Sequence, residues 1–118
     1  MKVMIVDDNQ QIRKVIRSVL EDSVVAFLEC SDGDEALRAY EQFRPDWVLM
    51  DIGMNRVDGI AATEQIKNRY PDARIIMVTE YGDTLFKDAA RKAGAIDFVL
   101  KENLSDIPQI VNNTQRGE

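Results

Sequence analysis

Histidine is absent from the 118 residues. That removes imidazole zinc sites, Ser-His-Asp and Cys-His nucleophile systems, and histidine general bases. Cysteine occurs once, at Cys30, so no internal disulfide can form. A small buried apolar role suits such a residue. No apolar stretch approaches the length that spans a bilayer, so no membrane segment is expected. The opening residues, Met1 to Asp8, turn acidic too soon for a secretory leader, and the expected location is the cytoplasm. Positive charge is in deficit: 15 Lys and Arg face 21 Asp and Glu, a net charge of -6. Phosphate backbones need a basic face, so direct nucleic-acid binding by this domain is not expected. A hard cation or a basic partner surface fits the balance better. Neither a GxxxxGKS/T nor a GxGxxG glycine motif occurs, which counts against a nucleotide- or flavin-binding role. Internal repeats, low-complexity segments and linkers are also missing.

What is present suits one compact domain. Val3 to Val6 is a short β-branched apolar run ending at Asp7-Asp8-Asn9. Ile12, Val15, Ile16, Val19 and Leu20 recur at helical spacing, with Asp8 or Asn9 as cap. Val24 to Leu28 reads as a second strand. Ser31 to Glu35 then open a helix carrying Ala36, Leu37, Tyr40 and Phe43, which Arg44-Pro45-Asp46 ends. Trp47 to Met50 run straight into Asp51, a third strand buried on both faces. A loop through Gly53, Asn55 and Arg56 leads to Asp58, the cap of a helix ending near Tyr70-Pro71. Ile75 to Val78 form a fourth strand ending at Thr79. A loop from Glu80 to Asp83 follows, then a helix closed by Gly94. Ile96 to Leu100 form a fifth strand ending at Lys101, and Ser105 is a cap for a last helix with Pro108 in its first turn.

Strict βα alternation with short connections predicts an α/β fold, a doubly wound parallel sheet with helices on both faces. The strand order 2-1-3-4-5, flavodoxin-like, is adopted by analogy with folds of this kind. In such sheets ligands bind beyond the carboxyl ends of the strands. Those ends carry Asp7 and Asp8, Asp51, Thr79 and Lys101. Each alone has an ordinary explanation as a cap, a loop hydroxyl or a solvated lysine. Together they put three carboxylates, a hydroxyl and a lysine on one edge. Like charges at short range require a cation or raised pKa values. All-oxygen ligands suit Mg²⁺, which leaves room for phosphate oxygens, and the Gly53 carbonyl is a further candidate ligand. A carboxylate can accept a phosphoryl group as an aspartyl phosphate. Thr79 and Lys101 are the residue types that stabilise its oxygens.

These residues carry a resemblance to the receiver domain of bacterial response regulators, the phosphoacceptor half of two-component signalling. The matching residues are Asp7-Asp8, Asp51, Asp58-Gly59, Thr79, Gly94-Ala95, Phe98 and Lys101, and the likeness covers essentially residues 1–118. It implies a CheY-like fold in which Asp51 takes phosphate from a sensor histidine kinase. It also implies Mg²⁺ on Asp7 or Asp8, Asp51 and the Gly53 carbonyl. Thr79 and Lys101 would hold the phosphoryl oxygens, and Phe98 would be the aromatic whose rotamer reports the state. The implied output face joins the fourth helix, fifth strand and fifth helix, and a phosphorylation-linked homodimer is one use of it. The switch is expected to catalyse nothing but its own phosphoryl transfer and autodephosphorylation.

The stretches Tyr70 to Arg74, Thr79-Glu80-Tyr81 and Leu100 to Leu104 look most like the NarL/FixJ type, whose receivers usually precede a helix-turn-helix DNA-binding domain. No output domain is expected within residues 1–118, so a stand-alone receiver and a receiver taken from a longer regulator both stay open. The family often has Pro where Asn55 and Glu102 stand. Glu102 removes the ground for the cis peptide typical after the lysine. Glu80 places a bulky acid at the mouth, expected to slow phosphate access or alter dephosphorylation. A Mg²⁺ phosphohydrolase is the rival enzyme reading, but it usually wants a second acid two residues after the nucleophile, where Gly53 stands. A degenerate receiver acting by contact alone is a further reading, disfavoured by the intact Asp7, Asp8, Asp51, Thr79 and Lys101.

Overall fold

The computed structural model describes residues 1–54, 57–80, 82 and 84–116, with backbone alone for 114–116. Asn55, Arg56, Tyr81 and Asp83, which figure in the loop readings above, lie outside the described residues, as do Gly117 and Glu118. In chain order the elements are β1 (Lys2–Val6), α1 (Gln10–Leu20), β2 (Ala26–Cys30), α2 (Ala36–Phe43), β3 (Trp47–Asp51), α3 (Gly59–Arg69), β4 (Ile75–Thr79), α4 (Thr84–Ala93), β5 (Asp97–Leu100) and α5 (Ile107–Arg116). The five strands form one parallel sheet in the order β2-β1-β3-β4-β5, the order expected. The chain reverses its direction of growth between β1 and β3, which opens a crevice at their carboxyl ends.

Alternation along each strand divides the apolar residues between the two faces. Met4, Val48, Met50, Ile75 and Met77 pack under α2, α3 and α4, against Ala36, Tyr40, Ala62, Ile66 and Ala90. Val3, Ile5, Trp47, Leu49, Ile76 and Val78 pack under α1 and α5, against Ile16, Leu20, Ile107 and Val111. Every residue of β3 and β4 is buried, as continuous apolar runs in a sheet covered on both sides require. Trp47 is wholly buried and packs in the core, beneath the Arg74 guanidinium at 4.6 Å from the ring.

Local chemistry sets the helix ends. Asn9, not Asp8, caps α1, accepting from the Gln11 and Ile12 amides at 2.9 and 3.3 Å. Asp58 caps α3 through the Ala61 amide at 2.8 Å. Gly94 closes α4 at φ 110°, a left-handed conformation that favours glycine.

Three boundaries differ from expectation. The second strand is Ala26–Cys30, two residues later than Val24–Leu28. It is an edge strand, so Val25 is left 84% exposed, while Glu29 is accommodated by ion pairs with Arg13 and Arg17. The fifth strand begins at Asp97, one residue late, with Ile96 half out in solvent. Ser105 does not cap α5. It lies inside a 3-10 segment, Lys101–Asp106, whose Leu104 turns inward, as does Ile107 three residues on at the start of α5. The described residues contain no cis peptide, in keeping with Glu102 after Lys101.

Candidate functional site: an acidic cluster at the carboxyl edge

The sheet register delivers the expected residues to one place. Val6 aligns with Met50, and Asp51 aligns with Val78, so Asp7 and Asp51 leave neighbouring strands at the same edge. One oxygen from each of Asp7, Asp8 and Asp51 falls within 4.8 Å of the others. Lys101 begins the segment after β5 and turns back over the cluster. Its Nζ lies 3.3 Å from Asp7 Oδ2 and 3.4 Å from Asp51 Oδ1. Thr79 ends β4, wholly buried, beside Leu100 and one residue short of Lys101 in register.

Two further predicted residues contribute no carboxylate to the cluster. Gly53 is exposed in the loop two residues beyond Asp51. Phe98 is half-buried in β5, paired in register with Met77 and sharing that face of the sheet with Thr79. The Lys87 ammonium lies 5.9 Å from its ring. Glu80 and Glu102 line a small pocket of about 210 Å³ with Leu100 and Lys101.

Burial makes the cluster electrostatically tense. Desolvation, then the neighbouring Asp7 charge, push the Asp51 carboxyl up to about 6 against the pull of Lys101. Desolvation also raises Asp7, opposed by the Asn9 amide and by Lys101. Burial by itself would lower Lys101, but Asp51 and Asp7 outweigh it and hold the ammonium charged. Elsewhere, burial lifts the Cys30 thiol to about 11, which keeps it inert and matches the apolar role read for it.

The donor set fits a small hard cation. Asp7 Oδ2 is buried with no hydrogen bond, and its contact with Lys101 is an ion pair only. Three convergent carboxylates and no nitrogen or sulfur ligand suit Mg²⁺ more than a transition metal.

Two residues named in the sequence have supporting contacts that the sequence did not reveal. Asp32, read as part of a helix cap, does accept from Asp34 N at 3.2 Å, but also takes the Val57 amide at 3.0 Å. It thereby ties down the far end of the loop that follows Asp51. Gly59 is the other: a Cβ there would lie 1.8 Å from the Asp51 carbonyl oxygen. The start of α3 is thus pressed against the backbone of Asp51. Gly59→Ala is expected to cost on the order of 2–3 kcal/mol, since a backbone atom must move to admit the methyl. Urea unfolding checks this, and a loss below about 0.5 kcal/mol, within the ordinary range of surface changes, would show that α3 yields freely.

The model of the response regulator receiver domain matches residues 3–112. The chain is a member of that family. It is 38% identical over 104 residues to YhcZ, an uncharacterized transcriptional regulatory protein of Bacillus subtilis, covering 86% of this chain and 49% of that protein. It is 39% identical over 100 residues to the chemotaxis protein CheY of Halobacterium salinarum, covering 85% and 83%. A LuxR-family two-component response regulator from Aurantimonas sp. superposes with a TM-score of 0.89 at 30% identity, over 99% of this chain and 86% of that one. This receiver therefore spans about half the length of YhcZ and most of the length of CheY. Receiver domains are phosphoacceptor switches that bind Mg²⁺ at an acidic site and work between histidine kinases and output domains, and the NarL/FixJ likeness read from the sequence holds. No helix among the described residues is long and apolar enough to cross a membrane.

Proposed function

We propose that Asp51 is the phosphoacceptor of a Mg²⁺-dependent switch, with a sensor histidine kinase as donor. The observation that carries this reading is the convergence of Asp7, Asp8 and Asp51 within 4.8 Å beneath the Lys101 ammonium. An Asp51 oxygen attacks phosphorus, the P–N bond to the donor imidazole breaks, and the departing nitrogen takes a proton. The donor histidine comes from the partner, because this chain has none. With its carboxyl titrating near 6, Asp51 is mostly ionised and nucleophilic at pH 7. Asp7, Asp8, Asp51 and the Gly53 carbonyl are the groups that hold the cation. When bound, Mg²⁺ supplies the positive charge that lets the acids and a phosphoryl group share one crevice. Lys101 exchanges its contact with Asp51 for a phosphoryl oxygen, and the Thr79 hydroxyl donates to another. Drawing Thr79 toward the site vacates space on the face it shares with Phe98. That biases the ring and the α4-β5-α5 face toward a partner-binding state. Leu85 on α4, 80% exposed, is available to that face, and a homodimer is one of its uses. The setting is cytoplasmic.

The test is labelling by a small acyl phosphate. The protein takes up one acid-stable, base-labile phosphoryl group with Mg²⁺ and none with chelator. Labelling that ignores the metal would sink the reading. Lys101 gives a second check. Its ammonium competes with a cation for Asp7 and Asp51, so Lys101→Met is expected to bind Mg²⁺ on the order of tenfold more tightly. Labelling at saturating metal should meanwhile slow by about 10- to 100-fold, for want of a charge on the phosphoryl oxygens. Weaker Mg²⁺ binding by this variant would contradict the assignment.

Relatives of both kinds are at hand: this receiver spans about half the length of the transcriptional regulatory protein YhcZ and most of the length of CheY, so a receiver within a longer regulator and a stand-alone one both stay open. The receiver unit is residues 1–118 on either reading, and the full open reading frame decides between them.

A further inference from the structure

Arg13 lies on α1, away from the acids, yet reaches the backbone between two of them. Its Nη1 donates to the Asp7 carbonyl oxygen at 2.6 Å, and its Nε donates to Glu29 Oε1 at 2.7 Å. Glu29 is itself gripped by Arg17 Nη1 at 3.0 Å, and the Arg17 guanidinium rests over the Phe27 ring at 4.8 Å. The Arg13 side chain is only 16% exposed. It is a fork with one tine on edge strand β2 and the other on the peptide unit joining Asp7 to Asp8.

The rest of Asp7 is fixed from other directions. Its amide donates to the Cys30 carbonyl at 3.0 Å, and its Oδ1 accepts the Asn9 amide at 2.8 Å. Asp8 is different. It is exposed and lies beyond the end of β1, so its direction is inherited from the peptide plane that Arg13 holds. We propose that Arg13 is a positioning residue for the divalent cation site: by pinning the Asp7–Asp8 peptide it keeps the Asp8 carboxylate in the cluster with Asp7 and Asp51. The inference rests on the reading that these acids bind Mg²⁺. Mg²⁺ tolerates little departure from octahedral geometry, and groups that orient its ligands typically govern affinity by about 10- to 100-fold.

Charge and position predict opposite signs here. A guanidinium bonded to the peptide between two of these acids repels an incoming cation, so an Arg13 acting by charge alone would weaken binding, and its removal would tighten it. An Arg13 acting by position does the reverse. Calorimetric titration of the full chain with MgCl₂ separates the two, using the parent, Arg13→Met, Arg13→Lys and Asp8→Asn. Arg13→Met is expected to bind Mg²⁺ about 10- to 100-fold more weakly despite the lost positive charge. Arg13→Lys keeps the charge but cannot span both acceptors, and is expected to lose affinity as well. Because it disturbs the fold least, it also serves if the Met variant unfolds. Affinity within twofold of the parent in Arg13→Lys, or tighter binding in Arg13→Met, overturns the proposal. The Mg²⁺ reading itself survives that result if Asp8→Asn still loses binding. A parent chain that binds no Mg²⁺ overturns both.

Discussion

Asp51→Asn is expected to abolish labelling by a small acyl phosphate, lowering the rate on the order of a thousandfold or more, because an amide is no nucleophile toward phosphorus. The substitution is nearly isosteric, so packing beneath α3 and β4 is preserved and the loss is chemical. Asp7 and Asp8 do not replace it. Asp7 is buried against Lys101 and fastened by the Asn9 amide, and Asp8 is the most outlying of the three. Intact-mass measurement after timed exposure to the donor and Mg²⁺ reads the result directly. Labelling of the Asn variant at the parent rate would remove Asp51 from its role. Labelling that moves to Asp7 or Asp8, located by peptide mapping, would show that the cluster and not one position sets reactivity.

The same substitution should make the metal-free protein more stable at neutral pH. The folded state holds the Asp51 carboxyl near 6, against an ordinary 3.8. A raised carboxyl contributes its stability fully below about 3.8, and that contribution is lost as pH rises through 6. At pH 7 the buried charge then costs about 2–3 kcal/mol, on the scale of about 1.4 kcal/mol per pH unit. Asn carries no charge to bury. In chelator at pH 7, Asp51→Asn should therefore melt on the order of 10 °C above the parent. At pH 4 the two midpoints should nearly coincide. Mg²⁺ narrows the gap from the other side, since it binds the folded parent more tightly than the variant. Equal midpoints at pH 7 in chelator would mean that the site carries no electrostatic strain. A pH-independent gap would assign the gain to something other than ionisation.

The placement of the edge residues was legible because a parallel sheet sends every strand's last residue the same way. Reading apolar runs at Val3 to Val6, Trp47 to Met50 and Ile75 to Val78 was enough to bring Asp7, Asp51 and Thr79 together without coordinates. Boundaries were less legible where a strand has one neighbour instead of two. β2 slid because Val24 and Val25 look like strand residues, yet the pairing register places Ala26 opposite Lys2 and leaves Val25 outside. The supports were illegible for a different reason. Arg13 grips a backbone oxygen, and Gly59 yields room to one. Every residue supplies a carbonyl, so neither contact leaves a signature in residue type or spacing. Asp32 was seen, but only its local cap could be read, because the Val57 amide is 25 positions away.

The tight seat of Gly59 against Asp51 divides the machine into a stator and a rotor. The backbone of Asp51 is wedged between the start of α3 and the ladder to β4, with the Gly59 amide donating to Ile52 O at 2.8 Å. If Asp51 takes up a phosphoryl group as proposed, the close seat of Gly59 leaves the Asp51 backbone little room to move toward α3. The bulk and charge of the group would then fall on the opposite flank, where Thr79 ends β4 and Lys101 follows β5. On that reading the direction of the signal is built into the scaffold before any partner arrives.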